Sequence, residues 1–184
     1  MQNKYHACYR ILVLTFAFLI VAQNLFAASA REIDVSVDIA LERFYKEVPG
    51  SQGFTKKAKA ILVFPSVIKV GFGIGGEYGE GAMIIAGKTV DYYNTMAASI
   101  GFQFGAQAKS IILLFMEKGA LKEFQNSEGW KAGVDGSVAL VELGMGDSLD
   151  TTNVKDPIVA FVFGQKGLMY NLTLEGSKYN KIKK

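Results

Sequence analysis

An α+β fold, with an N-terminal amphipathic helix packed on a largely antiparallel, glycine-rich sheet or open barrel, is predicted by three features of the sequence. Apolar residues recur at helical spacing from Ile33 to Val48. After Lys59 the period falls to two, in short apolar stretches punctuated by glycine and proline. A single short helix-like stretch, Lys118 to Gln125, interrupts those strands.

The elements follow in order. Residues 1–30 read as a cleavable signal peptide: Lys4 and Arg10 give a positive start, Ile11 to Ala22 is almost wholly apolar, and Ala28-Ser29-Ala30 supplies small residues for cleavage. That apolar stretch is shorter than the ~20 residues a spanning helix needs. In the helix, Ile33, Val37, Ala40, Leu41, Phe44 and Val48 form the apolar stripe. Pro49-Gly50 stops it. Ala60 to Phe64 is a short apolar strand ended by Pro65. Val67 to Gly75 alternates, and Ser99 to Ala108 alternates again. Ser110 to Met116 is apolar enough to be buried on both faces. Trp130 to Leu143 returns to period two, and Ile158–Phe163 with Leu168–Leu174 predicts a hairpin across Gln165-Lys166-Gly167. The total is a helix and six or seven strands.

Composition excludes several chemistries. The single cysteine, Cys8, and the single histidine, His6, both lie in the leader. What remains, residues 31–184, can form no disulfide, no Ser-His or Cys-His nucleophile pair and none of the commonest zinc sites. Losing Lys4 and Arg10 leaves 18 of the 20 Lys+Arg against 17 Asp+Glu. So balanced a charge makes no bulk case for nucleic acid. The remaining length suits a single domain. All 20 glycines fall in it, well above the average usage of about 7%.

Those glycines are the most distinctive local feature. Gly71-Phe-Gly73-Ile-Gly75-Gly76 spells a dinucleotide-binding motif, yet it sits inside a strand pattern, where no helix N-terminus can meet a pyrophosphate. No cofactor is expected. Glycines at alternate positions strip one strand face of side chains, so either a second backbone packs closely there or a ligand chain enters. Glu77, Glu80 and Asp135 are the carboxylates that acid–base chemistry would use; a hydrogen-bonded or solvated strand residue is the plainer reading of each. Asp147 to Asn153 is acidic but lacks the pattern of a calcium loop, and no metal site is expected. Asn171-Leu-Thr173 spells a glycosylation sequon inside a predicted strand. Lysines cluster at Lys56, Lys57 and Lys59, with Lys69 soon after, and again at Lys178, Lys181, Lys183 and Lys184.

Ala58 to Gly76 resembles the opening signature of the SYLF domain family. Ala98 to Gln107, Gly129 to Ser137, Pro157 to Met169 and Leu174 to Lys178 resemble its later motifs in the same order. The likeness covers about residues 33–182. It implies lipid binding: eukaryotic members associate with phosphoinositide membranes through an N-terminal helix and basic residues, yeast members bind actin, and bacterial members are small exported proteins called lipid-binding. No SH3 domain accompanies the likeness here. It supplies no catalytic residues.

The combined expectation is a single exported lipid-binding domain over 31–184, without enzymatic activity, in the periplasm or secreted. Its partner would be a lipid or membrane surface, with anionic phospholipid a candidate. The candidate contacts are Lys56, Lys57, Lys59 and Lys69 for head groups, and Gly71, Gly73, Gly75, Gly101 and Gly105 for an acyl chain or close-packed partner. The alternative is an envelope structural or adaptor protein that binds another protein.

Overall fold

The computed structural model describes residues 28–141, 156–167, 174 and 176–184. The leader before Ala28, the Asp147–Asn153 stretch, the sequon and most of the expected Leu168–Leu174 strand lie outside them. In chain order the elements are α1 (Ala30–Glu47), α2 (Ser51–Lys57), β1 (Ala60–Ile85), β2 (Lys88–Phe115), α3 (Lys118–Asn126), β3 (Trp130–Lys131), β4 (Ala139–Val141), β5 (Ile158–Gly167) and β6 (Lys178–Ile182).

Two very long strands replace most of the short ones expected. β1 and β2 pair antiparallel from Ala60↔Phe115 to Ile85↔Lys88. Ala86 and Gly87 connect them, both at positive φ (49° and 76°), the geometry of a two-residue hairpin turn whose twist matches the strands. Pro65 ends nothing. It lies in a bulge between Phe64 and Val67, where a missing N–H removes no ladder bond, and its carbonyl accepts from Ser110 Oγ at 2.7 Å.

A straight strand of 26 residues would stretch about 85 Å at ~3.3 Å per residue, far beyond a domain of this size. The hairpin therefore folds over on itself. A Cβ placed on Gly79 would stand 2.8 Å from both the Ser66 carbonyl and Val67 Cγ2, and one on Gly81 would overlap the Val63 carbonyl. The second half of β1 thus lies directly on the first, and the turning point falls at the register shift between Phe72 and Ile74. Each half of β2 recruits a different neighbour: β5 along Gln107–Phe115 and β6 along Tyr92–Met96. The result, among the described residues, is one curled sheet of six strands, β3-β6-β2-β5-β4 with β1 on β2. It is a half-barrel, antiparallel except where β4 runs parallel to β5.

Two cores follow from the two faces. Inside the curl, Phe64, Met83, Ile111, Phe115, Trp130 and Tyr179 are buried, and Phe124 of α3 packs among them against Tyr93, Phe115 and Trp130. Outside it, α1 and α2 cover the sheet with Ile33, Val37, Ala40, Phe44 and Phe54. Phe44 meets Phe161 edge-on at 5.0 Å. Ile111, Leu113 and Phe115 face one core while Ile112 and Leu114 face the other, which is why that stretch is apolar without alternation. Ser29 caps α1 in a capping box with Glu32. The Glu32 carboxyl is held below its ordinary range by the Ser29 backbone N–H and then by the Ser29 hydroxyl. Asp34 ties the helix to the hairpin, accepting from Thr89 Oγ1 and the Tyr92 hydroxyl at 3.0 Å each.

Two further expectations are corrected. The period-two stretch from Trp130 is not one strand: β3 and β4 flank a turn in which Gly133 has φ +78° and Asp135 Oδ2 accepts the Lys131 N–H at 2.7 Å. Ala-Gly-Val-Asp-Gly favours that turn over an extended chain. Nor is Gln165-Lys166-Gly167 a hairpin turn. β5 runs through it, pairing Lys166 with Ala108 and Gly167 with Gln107, because Gly164 at φ +63° absorbs the irregularity and keeps the strand on β2.

Candidate functional site

The candidate residues divide into two groups by where β1 carries them. Lys56 and Lys57 lie exposed in the last turn of α2, and Lys59 lies exposed just before β1. Lys69 is ten residues further on, roughly 30 Å along an extended strand. It is only 6% exposed, opposite Gln107. It belongs with the glycines at the folded end. Gly71 pairs with Gly105 and Gly75 with Ser99, while Gly73 and Gly101 fall within the register shift between the Phe72↔Phe104 and Ile74↔Ile100 pairs. The structure therefore gathers Lys69, Gly71, Gly73, Gly75, Gly101 and Gly105 at the fold-over and leaves Lys56, Lys57 and Lys59 apart from them.

The outward side of that end is apolar and uncovered among the described residues. Ile68, Val70 and Ile74 are 54%, 52% and 75% exposed, and Ala106, paired with Val70, is exposed beside them. A contiguous apolar strip on the surface marks an interaction site more often than chance.

The inward side is polar. Lys109 Nζ contacts Glu77 Oε2 at 2.8 Å with both side chains nearly free of solvent, joining the two halves of the folded hairpin. Gln107 donates to Gln165 Oε1 at 3.3 Å. Deeper in, Tyr179 lies beside the hydroxyls of Thr95 and Ser177, yet none of the three completes a well-formed hydrogen bond among the described residues. Burial pushes the Tyr179 phenol well above its ordinary range, and the nearby Glu77 charge adds to that. Sequence reading singled out Glu77 but not Thr95, Gln107, Lys109, Ser177 or Tyr179. Their signal was present in part: Lys109 interrupts a strand of apolar character at a position that faces inward.

The other carboxylates have structural partners. Glu80 accepts from the Tyr78 hydroxyl and from Lys184 Nζ, each at 2.8 Å. Lys184 also reaches the Ala28 carbonyl at 2.8 Å. This closes one side of a cleft of about 250 Å³ lined by Ile33, Ile68, Tyr78 and Gly79. Asp135 is exposed and closes its own turn. No helix among the described residues is long and apolar enough to cross a membrane.

α1 also differs from a membrane-binding helix in how its faces are used. Its apolar stripe is buried against the sheet, and its ionisable residues are three basic (Arg31, Arg43, Lys46) against five acidic (Glu32, Asp34, Asp38, Glu42, Glu47). Docked in this way, it offers anionic head groups little attraction.

No curated protein matches the chain. Residues 96–184 match the family model described as Ysc84, Las17-binding protein actin regulator. That segment holds most of β2 and everything after it, including Gln107, Lys109, Ser177 and Tyr179. Glu77 and Lys69 come from β1, which pairs with β2 along nearly its whole length. The match makes the second half of the chain similar to the SYLF (Ysc84) domain family, which is one of binding domains.

Proposed function

We propose that the chain is an exported, non-enzymatic lipid-binding protein of the cell envelope, meeting a membrane with the folded end of the β1–β2 hairpin. One observation carries this reading: the strip Ile68, Val70 and Ile74 stands exposed at the end where the glycines gather. Burying apolar surface in a bilayer is favourable by roughly 25 cal/mol per Å². At the bend, Gly71, Gly73, Gly75, Gly101 and Gly105 remove side chains that would hold an acyl chain away from the backbone. Lys56, Lys57 and Lys59 join such a contact only if the first half of β1 lies along the bilayer, which makes their contribution separable. α1 serves as a cover for the sheet, its amphipathic stripe turned inward. Export rests on the leader pattern of residues 1–30, with periplasm or secretion as the destination.

Sedimentation with phosphatidylcholine vesicles, with and without phosphatidylglycerol, tests this. The double change Ile68→Asp, Ile74→Asp should cut binding at least tenfold on both vesicle types. Lys56→Glu with Lys57→Glu should weaken binding only to the anionic vesicles and only at low salt. Unchanged sedimentation of the aspartate variant removes the folded end from the membrane contact. Cell fractionation with N-terminal sequencing tests the export. An adaptor role is the second reading, favoured by the family description, whose namesake is named for binding a protein, Las17. A stoichiometric protein partner retained by the full chain, with no vesicle binding, would decide for it.

A further inference from the structure

The cleft beside α1 has an ammonium held at its wall. Lys184 Nζ stands 2.8 Å from Glu80 Oε2 and 2.8 Å from the Ala28 carbonyl. Both side chains of this pair are largely withdrawn from solvent, at 8% and 11% exposure. The Tyr78 hydroxyl donates to the other Glu80 oxygen at 2.8 Å. Burial, then that hydrogen bond, pushes the Tyr78 phenol up to about 12, so it remains a donor through the neutral range. Glu80 therefore has one oxygen fixed by a neutral donor and the other turned towards a cation.

Glu80, Tyr78 and Ala28 all line the cleft of about 250 Å³, together with Ile33, Pro65 and Ile68 and a second carboxylate, Glu32. Glu32 is tied to the same place. Its Oε2 accepts the Ser29 N–H at 2.7 Å, and Ser29 directly follows the Ala28 whose carbonyl meets Lys184. Through these contacts and one peptide unit of standard dimensions, the two carboxylates lie within about 10 Å of each other. The Ser29 N–H and hydroxyl hold the Glu32 carboxyl below its ordinary range, so it is ionised at neutral pH.

The wall selects the ligand. Its volume is below the ~300 Å³ at which pockets for drug-sized molecules begin. Two carboxylates, with no lysine or arginine among the lining residues, oppose an anion. A divalent cation needs several oxygen ligands converging on it, and among the described residues no three acidic, histidine or cysteine side chains gather in that way. A wholly apolar molecule would leave the Glu80 charge facing it without compensation. Two carboxylates separated by an apolar wall match a short hydrocarbon chain with an ammonium at each end.

We propose that this cleft binds a small linear aliphatic diamine, and that Lys184 occupies one end of the site as an internal substitute for it. One ammonium of the ligand replaces Lys184 Nζ at Glu80, the chain lies on Ile33, Pro65 and Ile68, and the second ammonium reaches Glu32. All five of these residues follow Arg31, so loss of the leader would keep the site. It would also take away the Ala28 carbonyl, one of the two acceptors that hold Lys184, and ease its displacement. The site goes beyond the membrane reading and does not depend on it, because the ligand is water-soluble and its binding is measured without vesicles.

The experiment is calorimetric titration of the full chain with pentane-1,5-diamine at constant ionic strength. Lys184→Met removes the internal competitor and should bind about tenfold more tightly than the wild-type protein. Lys183→Met makes the same change of charge at an exposed neighbour and should bind as the wild type does. Glu80→Gln added to Lys184→Met should abolish binding. That pair of changes leaves no buried charge unmatched, so the fold is retained. Pentylamine should bind Lys184→Met about threefold more weakly than the diamine, the loss expected for one exposed ion pair. Lys184→Met alone leaves Glu80 without its cation, so its urea midpoint should fall, and the diamine should restore it saturably. Equal gains in Lys183→Met and Lys184→Met would reveal a general charge effect and overturn the proposal. Pentylamine binding as tightly as the diamine would overturn the two-ended site, and no saturable binding to Lys184→Met would sink it altogether.

Discussion

Gly81 shows how much of this fold rests on single residues. Its α-carbon faces the Val63 carbonyl and the Phe64 ring so closely that a Cβ would overlap the backbone oxygen. Backbone cannot yield as the far end of a flexible side chain can. Gly81→Ala must therefore push the two halves of β1 apart, and the cost should reach about 3 kcal/mol, the upper part of the range for overpacked sites. Gly76→Ala is the internal control, since its Cβ would meet only the Ala97 carbonyl, at an ordinary 3.9 Å. Urea denaturation of both variants checks this: a loss for Gly81→Ala no larger than for Gly76→Ala would mean the halves are not in contact there. The sequence alone did not single out Gly79 or Gly81. Nothing in the local pattern distinguishes a glycine that admits another backbone from one that relaxes a turn, because the partner lies more than a dozen residues away along the same strand.

At the level of elements, the α+β class and the mostly antiparallel sheet were legible because they follow from local periodicity. What was not legible follows from tertiary pairing. Pro65 read locally as a strand end, yet a continuous partner in β2 carries the pairing on past it. Lys69 read as a surface lysine because its neighbours alternate, and the fold-over then turned that face inward. The start of α1 carries a prediction of the same kind. Ser29 caps the helix and the Ala28 carbonyl receives Lys184, so both lie inside the leader expected to be cleaved after Ala30. A chain beginning at Arg31 would lose the cap and one anchor of the C-terminus. Its stability should fall by about 1 kcal/mol relative to one beginning at Ala28, the usual worth of an N-cap side chain. Guanidinium denaturation of the two chains makes the comparison; equal midpoints would show that the capping box contributes nothing to the folded protein.

At the scale of the whole molecule, the buried Tyr93 and Tyr179, with the half-exposed Tyr78, set how the fold responds to alkali. Burial pushes the Tyr93 phenol up to about 12, with the nearby Asp91 charge adding. Burial, then the hydrogen bond to Glu80, pushes Tyr78 to about 12, and Tyr179 moves the same way. Tyr78 and Tyr93 lie on the second half of β1 and the first half of β2, and Tyr179 pairs beside them on β6. In each case the folded state holds a proton that the unfolded chain releases near pH 10. Stability from these groups is therefore complete below pH 10 and is lost as pH rises from about 10 towards 12. The urea midpoint should stay flat with respect to these groups up to pH 10 and fall steeply beyond it. Tyrosinate absorbance from the buried rings should appear together with loss of the fold rather than before it. Tyr93→Phe removes a buried hydroxyl that has no partner among the described residues, so it should make the fall shallower without weakening the protein at neutral pH. Buried tyrosines that titrate near pH 10 while the sheet remains intact would mean that the inner core admits water, and that the two halves do not close on each other as a single unit.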